Sequence, residues 1–102
     1  MKRQIEIKTN YGVAVKEADV TKGMAVHRPL MGGGWTVTHV VSGLSLYHPF
    51  GTKRQAKEFA RLIAAKYDTM ADEVGLLNDI RSKGGVREVV AIGKMVDGQR
   101  AA

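Results

Sequence analysis

The strongest constraint in this sequence is a helical period. Across residues 52–67, Ala56, Phe59, Ala60, Ile63 and Tyr67 recur every three or four positions, the spacing that gathers side chains on one face of an α-helix. Thr52, preceded by Gly51, stands where a hydroxyl can accept from the unpaired N–H groups of a first turn, so the spacing predicts a helix over 53–67. Projected at about 100° per residue, Lys53, Arg54, Lys57 and Arg61 fall in one arc away from the apolar stripe. Lys53 and Arg54 lie in the first turn, where the helix dipole disfavours a cation by roughly 0.3–1 kcal/mol. Helix stability therefore does not account for them.

Directly upstream, Trp35-Thr36-Val37-Thr38-His39-Val40-Val41 is the most β-branched and aromatic run in the chain, followed by Ser42-Gly43 and Leu44-Ser45-Leu46-Tyr47-His48-Pro49-Phe50. A two-residue hairpin turn at Ser42-Gly43 sets Val41 against Leu44. It groups Trp35, Val37, His39 and Val41 with Leu44, Leu46, His48 and Phe50 on a core face. Thr36, Thr38, Val40, Ser45 and Tyr47 then take the outer side. A bulged loop would shift this register and could turn the second strand over.

Elsewhere, Gln4–Thr9 alternates apolar and polar up to the turn signal Asn10-Tyr11-Gly12, and Gly12–Lys16 can pair back on it. Met24–Arg28 reads as a shorter strand stopped by Pro29. Met70–Lys83, acidic early and basic late before Gly84-Gly85, reads as a second helix. Val86–Val96, rich in β-branched residues, suits a final strand ending at Asp97-Gly98. The expectation is one α+β domain over residues 1–102. It has an antiparallel sheet of about five or six strands, one long amphipathic helix (53–67) and a second, shorter helix (70–83).

Hydrophobic residues at 44% and charged residues at 25% are far from the composition of a disordered chain. The absence of cysteine excludes disulfides, thiol nucleophiles and cysteine-ligated zinc, and fits a reducing compartment. No apolar stretch has the length of a signal peptide or a membrane span, so a cytoplasmic protein without a membrane partner is expected. Charge is uneven: residues 1–67 hold 11 Lys and Arg against four Asp and Glu, whereas residues 68–102 hold five against six. That asymmetry favours a polyanionic partner on the sheet-and-first-helix part.

Several constellations could carry chemistry. Lys53, Arg54, Lys57 and Arg61, with Lys66 close by, could neutralise a few phosphates; the same face could equally be solvated only. Gly51-Thr52 opens the helix, where free N–H groups could hold one anion. His39 and His48 become diagonal neighbours in the expected register, and would need His27 or a carboxylate to complete a metal site, so neither a metal nor another cofactor is expected. Gly32-Gly33-Gly34 leads into a strand and lacks the Gly-Lys-Ser/Thr of a P-loop. No nucleophile elbow, HExxH or paired carboxylates occur, so no catalytic residues are assigned and a non-enzymatic protein is expected.

The run Trp35-x-Val37, Gly43, then Phe50-Gly51-Thr52-Lys53-Arg54-Gln55-Ala56-Lys57-Glu58-Phe59-Ala60 resembles the sheet-then-helix layout of integrase arm-binding and AP2-type DNA-binding domains. It is also similar to the last part of double-stranded-RNA-binding domains, whose final helix begins with a Gly, a hydroxyl residue, two basic residues and an Ala-rich stretch. The resemblance covers about a third of the chain. It implies that Gly51, Thr52, Lys53, Arg54, Ala56 and Lys57 match that helix start, with the lysines on phosphates. Thr36, Thr38, Ser45 and Tyr47 stand where an AP2-type sheet carries arginines and aromatics, which points to backbone contacts over base reading.

Two functions follow as expectations. One is a small protein binding DNA or RNA through the backbone. The other is a protein-interaction module, such as a phage- or plasmid-encoded modulator or anti-CRISPR-like inhibitor of a host nucleic-acid-handling machine, whose basic face meets an acidic protein surface. Pairing of two copies through an exposed edge strand could accompany either.

Overall fold

The structure, a computed structural model, describes residues 2–9, 11–29 and 32–98, the side chains of Thr9 and His48 excepted. Five strands precede three helices: β1 (Lys2–Thr9), β2 (Gly12–Thr21), β3 (Met24–His27), β4 (Trp35–His39), β5 (Leu44–Phe50), α1 (Lys53–Lys66), α2 (Glu73–Ser82) and α3 (Val86–Gly98). The strands form one antiparallel meander in the order β1-β2-β3-β4-β5. The sheet coils far enough that the Lys8 N–H donates to the Gly43 carbonyl at 3.2 Å, so the first strand reaches the last hairpin.

Each face of the coiled sheet buries its own cluster. On one face Met24, Val26, Val37 and Phe50 meet Ala56, Phe59, Ala60 and Ile63 of α1, with Leu76 and Ile80 of α2 and Val89 and Val96 of α3 completing the main core. On the other, Ile5 and Ile7 fold over Ala18 and Ala25. Thr36 and Thr38, expected on an outer face, are therefore buried, because the sheet's own curvature covers that side.

The α1 expectation holds closely. Thr52 Oγ1 accepts from the Gln55 N–H at 3.1 Å, and Gln55 Oε1 accepts from the Thr52 N–H at 3.2 Å, a reciprocal cap that satisfies two orphan donors. The last segment differs: residues 86–98 form a helix, so the sheet stops at five strands and α1 (14 residues) has a near-equal in α3 (13 residues). Buried Val89, Gly93 and Val96 recur at spacings of four and three, and packing of that face outweighs the strand preference of the valines. The second helix begins at Glu73, capped by Asp72, whose carboxylate accepts from the Gly75 N–H at 2.8 Å.

The β4–β5 hairpin also departs from expectation. His39 pairs with Leu44, and the Gly43 N–H donates to the His39 carbonyl at 2.8 Å, so Val40–Gly43 form the turn. The Ser42 hydroxyl stabilises it by accepting from the Leu44 N–H while bonding His39 Nδ1. The shift is by two residues, so Val37 and His39 keep their face, but Val41 is left exposed in the turn. Between the pairs Val37–Leu46 and Trp35–Phe50 the register breaks. Tyr47 there takes a left-handed φ of 63°, and its ring joins the main core, stacked on Phe50 at 5.4 Å and tilted against Phe59 at 5.6 Å. Gly93 of α3 lies against that ring: a Cβ there would sit 2.5 Å from Tyr47 Cε1.

Candidate functional site

α1 sends its apolar stripe into the core, and what remains faces outward beside β2. From that outward face Lys53 Nζ reaches Asp19 Oδ2 at 3.0 Å, and Lys57 Nζ reaches the same oxygen at 3.4 Å. Asp19 is carried by β2 on the helix-covered side of the sheet, and these two ammonium groups, led by the Lys53 hydrogen bond, hold its carboxyl below the ordinary aspartate range. Arg61 Nε donates to Glu58 Oε1 one turn back at 2.6 Å, which raises the guanidinium and lowers the carboxyl from their usual values. Arg54 is exposed on the same helix.

The line of cations extends beyond α1. Trp35, half-buried at the rim of the core, carries the Arg28 guanidinium 4.3 Å from its ring centroid and Lys53 Nζ at 5.2 Å. Arg28 is steadied by donating to the Gly34 carbonyl at 3.0 Å. On the other side of Lys57, a groove of about 560 Å³ opens between α1 and β2–β3. Lys22, Lys57 and Arg61 edge it, and Met24, Val26, Ala60 and Ala64 contribute its apolar wall. Arg28 and Lys53 thus meet at Trp35, Lys53 and Lys57 at Asp19, and Lys57, Arg61 and Lys22 around the groove, with Arg54 exposed on the same helix.

Lys66 does not join this line. It projects toward α3, where its Nζ lies 3.4 Å from Glu88 Oε2 and 5.5 Å from the Tyr67 ring centroid. Gly51 and Thr52 do open the helix as expected, but the reciprocal cap occupies the Thr52 and Gln55 N–H groups that an anion would otherwise use. The residues the sequence did not mark are Asp19, Lys22 and Arg28. They come from a strand, a turn and a connection, so no spacing pattern joins them to α1.

His27 and His39 do not converge. His27 and His39 lie on opposite faces of the sheet, no group of three metal-ligating side chains occurs among the described residues, and the His48 side chain lies outside the description. His27 Nδ1 donates to the Arg28 carbonyl at 2.7 Å, and Nε2 accepts from the Thr38 hydroxyl at 2.7 Å. Burial is the main cause that lowers its pKa. The Thr38 hydroxyl is fully buried, so this hydroxyl–imidazole pair is out of reach of any substrate and works as a strut. His39 Nε2 donates to the Thr69 carbonyl at 3.0 Å, tying the hairpin turn to the α1–α2 connection.

Among the described residues no helix is long and apolar enough to cross a membrane. Compared with known proteins, the chain matches no family model, no curated protein and no solved structure.

Proposed function

We propose that this chain is a small, cytoplasmic, non-enzymatic protein that binds nucleic acid through its phosphate backbone. The observation that carries the reading is the gathering of Arg28 and Lys53 at Trp35, Lys53 and Lys57 at Asp19, and Lys57, Arg61 and Lys22 around one groove, with Arg54 exposed on the same helix. Such a track neutralises successive phosphates and gives affinity that falls steeply with salt. Pairing to Asp19 does not cancel it, since Lys53 and Lys57 share one carboxylate and leave an excess positive charge. The test is an electrophoretic mobility assay with DNA and RNA, duplex and single-stranded, at two salt concentrations, using wild type and a Lys53→Glu/Arg54→Glu/Lys57→Glu variant. A low-salt shift lost in the variant is expected. Binding that survives the triple reversal, or no shift by wild type, would overturn the reading.

A second reading, a modulator of a host nucleic-acid-handling protein, is favoured by a different surface. Met70, Val74 and Leu77, on and before α2, are 67%, 66% and 44% exposed, an apolar set of the kind protein partners cover. Capture of one stoichiometric protein partner that depends on Val74 and Leu77, with no nucleic-acid shift, would support it.

A further inference from the structure

We propose that the groove between α1 and β2–β3 receives an unpaired base of a single-stranded nucleic acid laid along the basic track, a step that rests on the nucleic-acid reading above. The groove exists because α1 presents Ala60, Ala64 and Ala65 toward β2, where longer side chains would fill the gap. Its volume of about 560 Å³ falls within the range of small-molecule sites. Ala64, half-buried, and Ala65, exposed, leave apolar surface at its mouth that a planar base can cover as water leaves.

Polarity at the mouth sets the orientation. Asp19 lies on one edge, paired with Lys53 and Lys57, and repels a phosphate there while accepting hydrogen bonds from base N–H groups. Lys22 and Arg61 also edge this opening, so the phosphate belongs with them. One step along the track, Trp35 lies beneath Arg28 and Lys53. Cations alternating with an aromatic ring and an apolar recess match the chemistry of a strand whose bases are splayed out. A duplex keeps its bases stacked inside and gains nothing from the recess.

The experiment measures fluorescence anisotropy of labelled DNA and RNA single strands of about 12 nucleotides and of the matching duplexes. Wild type is compared with Ala64→Leu, which fills the groove without altering charge. The expected result is tighter binding of single strands than of duplex by wild type, and a single-strand affinity about tenfold weaker in Ala64→Leu with duplex affinity unchanged. Equal loss on both, no loss on either, or equal wild-type affinity for both forms overturns the groove proposal and leaves backbone binding standing. Absence of any wild-type binding overturns the nucleic-acid reading itself. Circular dichroism checks the fold of Ala64→Leu. Should that variant unfold, Ala65→Leu decides instead, because Ala65 lines the same groove from an exposed position and carries no charge. A selective loss of single-strand binding supports the groove, and an equal loss on both forms overturns it.

Discussion

Gly93→Ala offers a sharp test of how α3 is seated. In an exposed helix this change stabilises by about 0.8–1 kcal/mol through helix propensity. Here the added methyl would stand 2.5–2.6 Å from three atoms of the Tyr47 ring. Retreat would pull the ring from its neighbours. Phe50 and Phe59 flank it, and its hydroxyl donates to Asp97 Oδ2 at 3.2 Å. Overpacking of this kind costs about 1–3 kcal/mol, so the net change is a destabilisation of up to about 2 kcal/mol, with the melting point falling about 4–8 °C for each of those. In a Tyr47→Gly background the obstacle is gone and glycine suits the φ of 63°, although losing the ring costs about 3–5 kcal/mol by analogy with other aromatic truncations. There Gly93→Ala should stabilise by about 1 kcal/mol. Urea unfolding of the four proteins, followed by circular dichroism, yields the coupling energy, expected at about 1–3 kcal/mol. A Gly93→Ala protein more stable than wild type, or effects additive within about 0.5 kcal/mol, would refute the wedge.

Other expectations follow from the same geometry. Asp19→Asn should release Lys53 and Lys57, strengthening nucleic-acid binding and steepening its salt slope by about 0.9 for each further phosphate neutralised, as read from a salt titration; weaker binding would argue that Asp19 positions these lysines for the ligand. Thr52→Ala should lower stability by about 1 kcal/mol in urea, since it removes the hydroxyl that accepts from the Gln55 N–H and keeps only the backbone half of the α1 cap. The depressed His27 pKa makes stability depend on pH in a definite direction. Folding holds the imidazole neutral, so its contribution is fully present above about pH 6.5, the ordinary histidine value, and is lost as pH falls from there through the lower folded value. Lys16, which also lowers the His27 pKa, acts in the same sense. His27→Gln should flatten this acidic slope in urea midpoints measured between neutral and mildly acid pH, while an unchanged slope would assign it to other groups.

The parts of the fold that could be read in the sequence are those with local causes. α1 announced itself because Ala56, Phe59, Ala60 and Ile63 keep strict helical spacing and Thr52 supplies a cap in the right place. β4 and β5 were legible as strands, but their turn depends on Ser42 and His39 bonding one another, and the break beyond Leu46 depends on a tyrosine in a glycine-like conformation. Neither has a compositional signature. α3 was misread because Val86, Val89, Val90 and Val96 carry strand preference and Gly93 weakens a helix, whereas the reason for glycine there is a tyrosine 46 positions earlier in the chain. Of the candidate site, the α1 cations were visible as an arc. Asp19, Lys22 and Arg28 were not, since only the coiling of the sheet brings β2 and its turn beside that helix, and an alanine that lines a groove looks in sequence like one that packs a core.

The turn between β2 and β3 carries a last consequence. Lys22 and Gly23 both adopt positive φ, at 50° and 81°, the pairing that suits a tight right-twisted hairpin. The Lys22 carbonyl accepts from the Thr69 hydroxyl, and the Gly23 carbonyl accepts from the Val40 N–H at 2.9 Å. A Cβ on Gly23 would run into the Thr69 carbonyl oxygen, so the connection after α1 presses directly on the turn. The backbone beneath Lys22 is thereby fixed from two directions before any ligand arrives. At this turn a partner entering the groove orders only the lysine side chain, about 0.5–1.5 kcal/mol of entropy, and finds the backbone that carries it already in place.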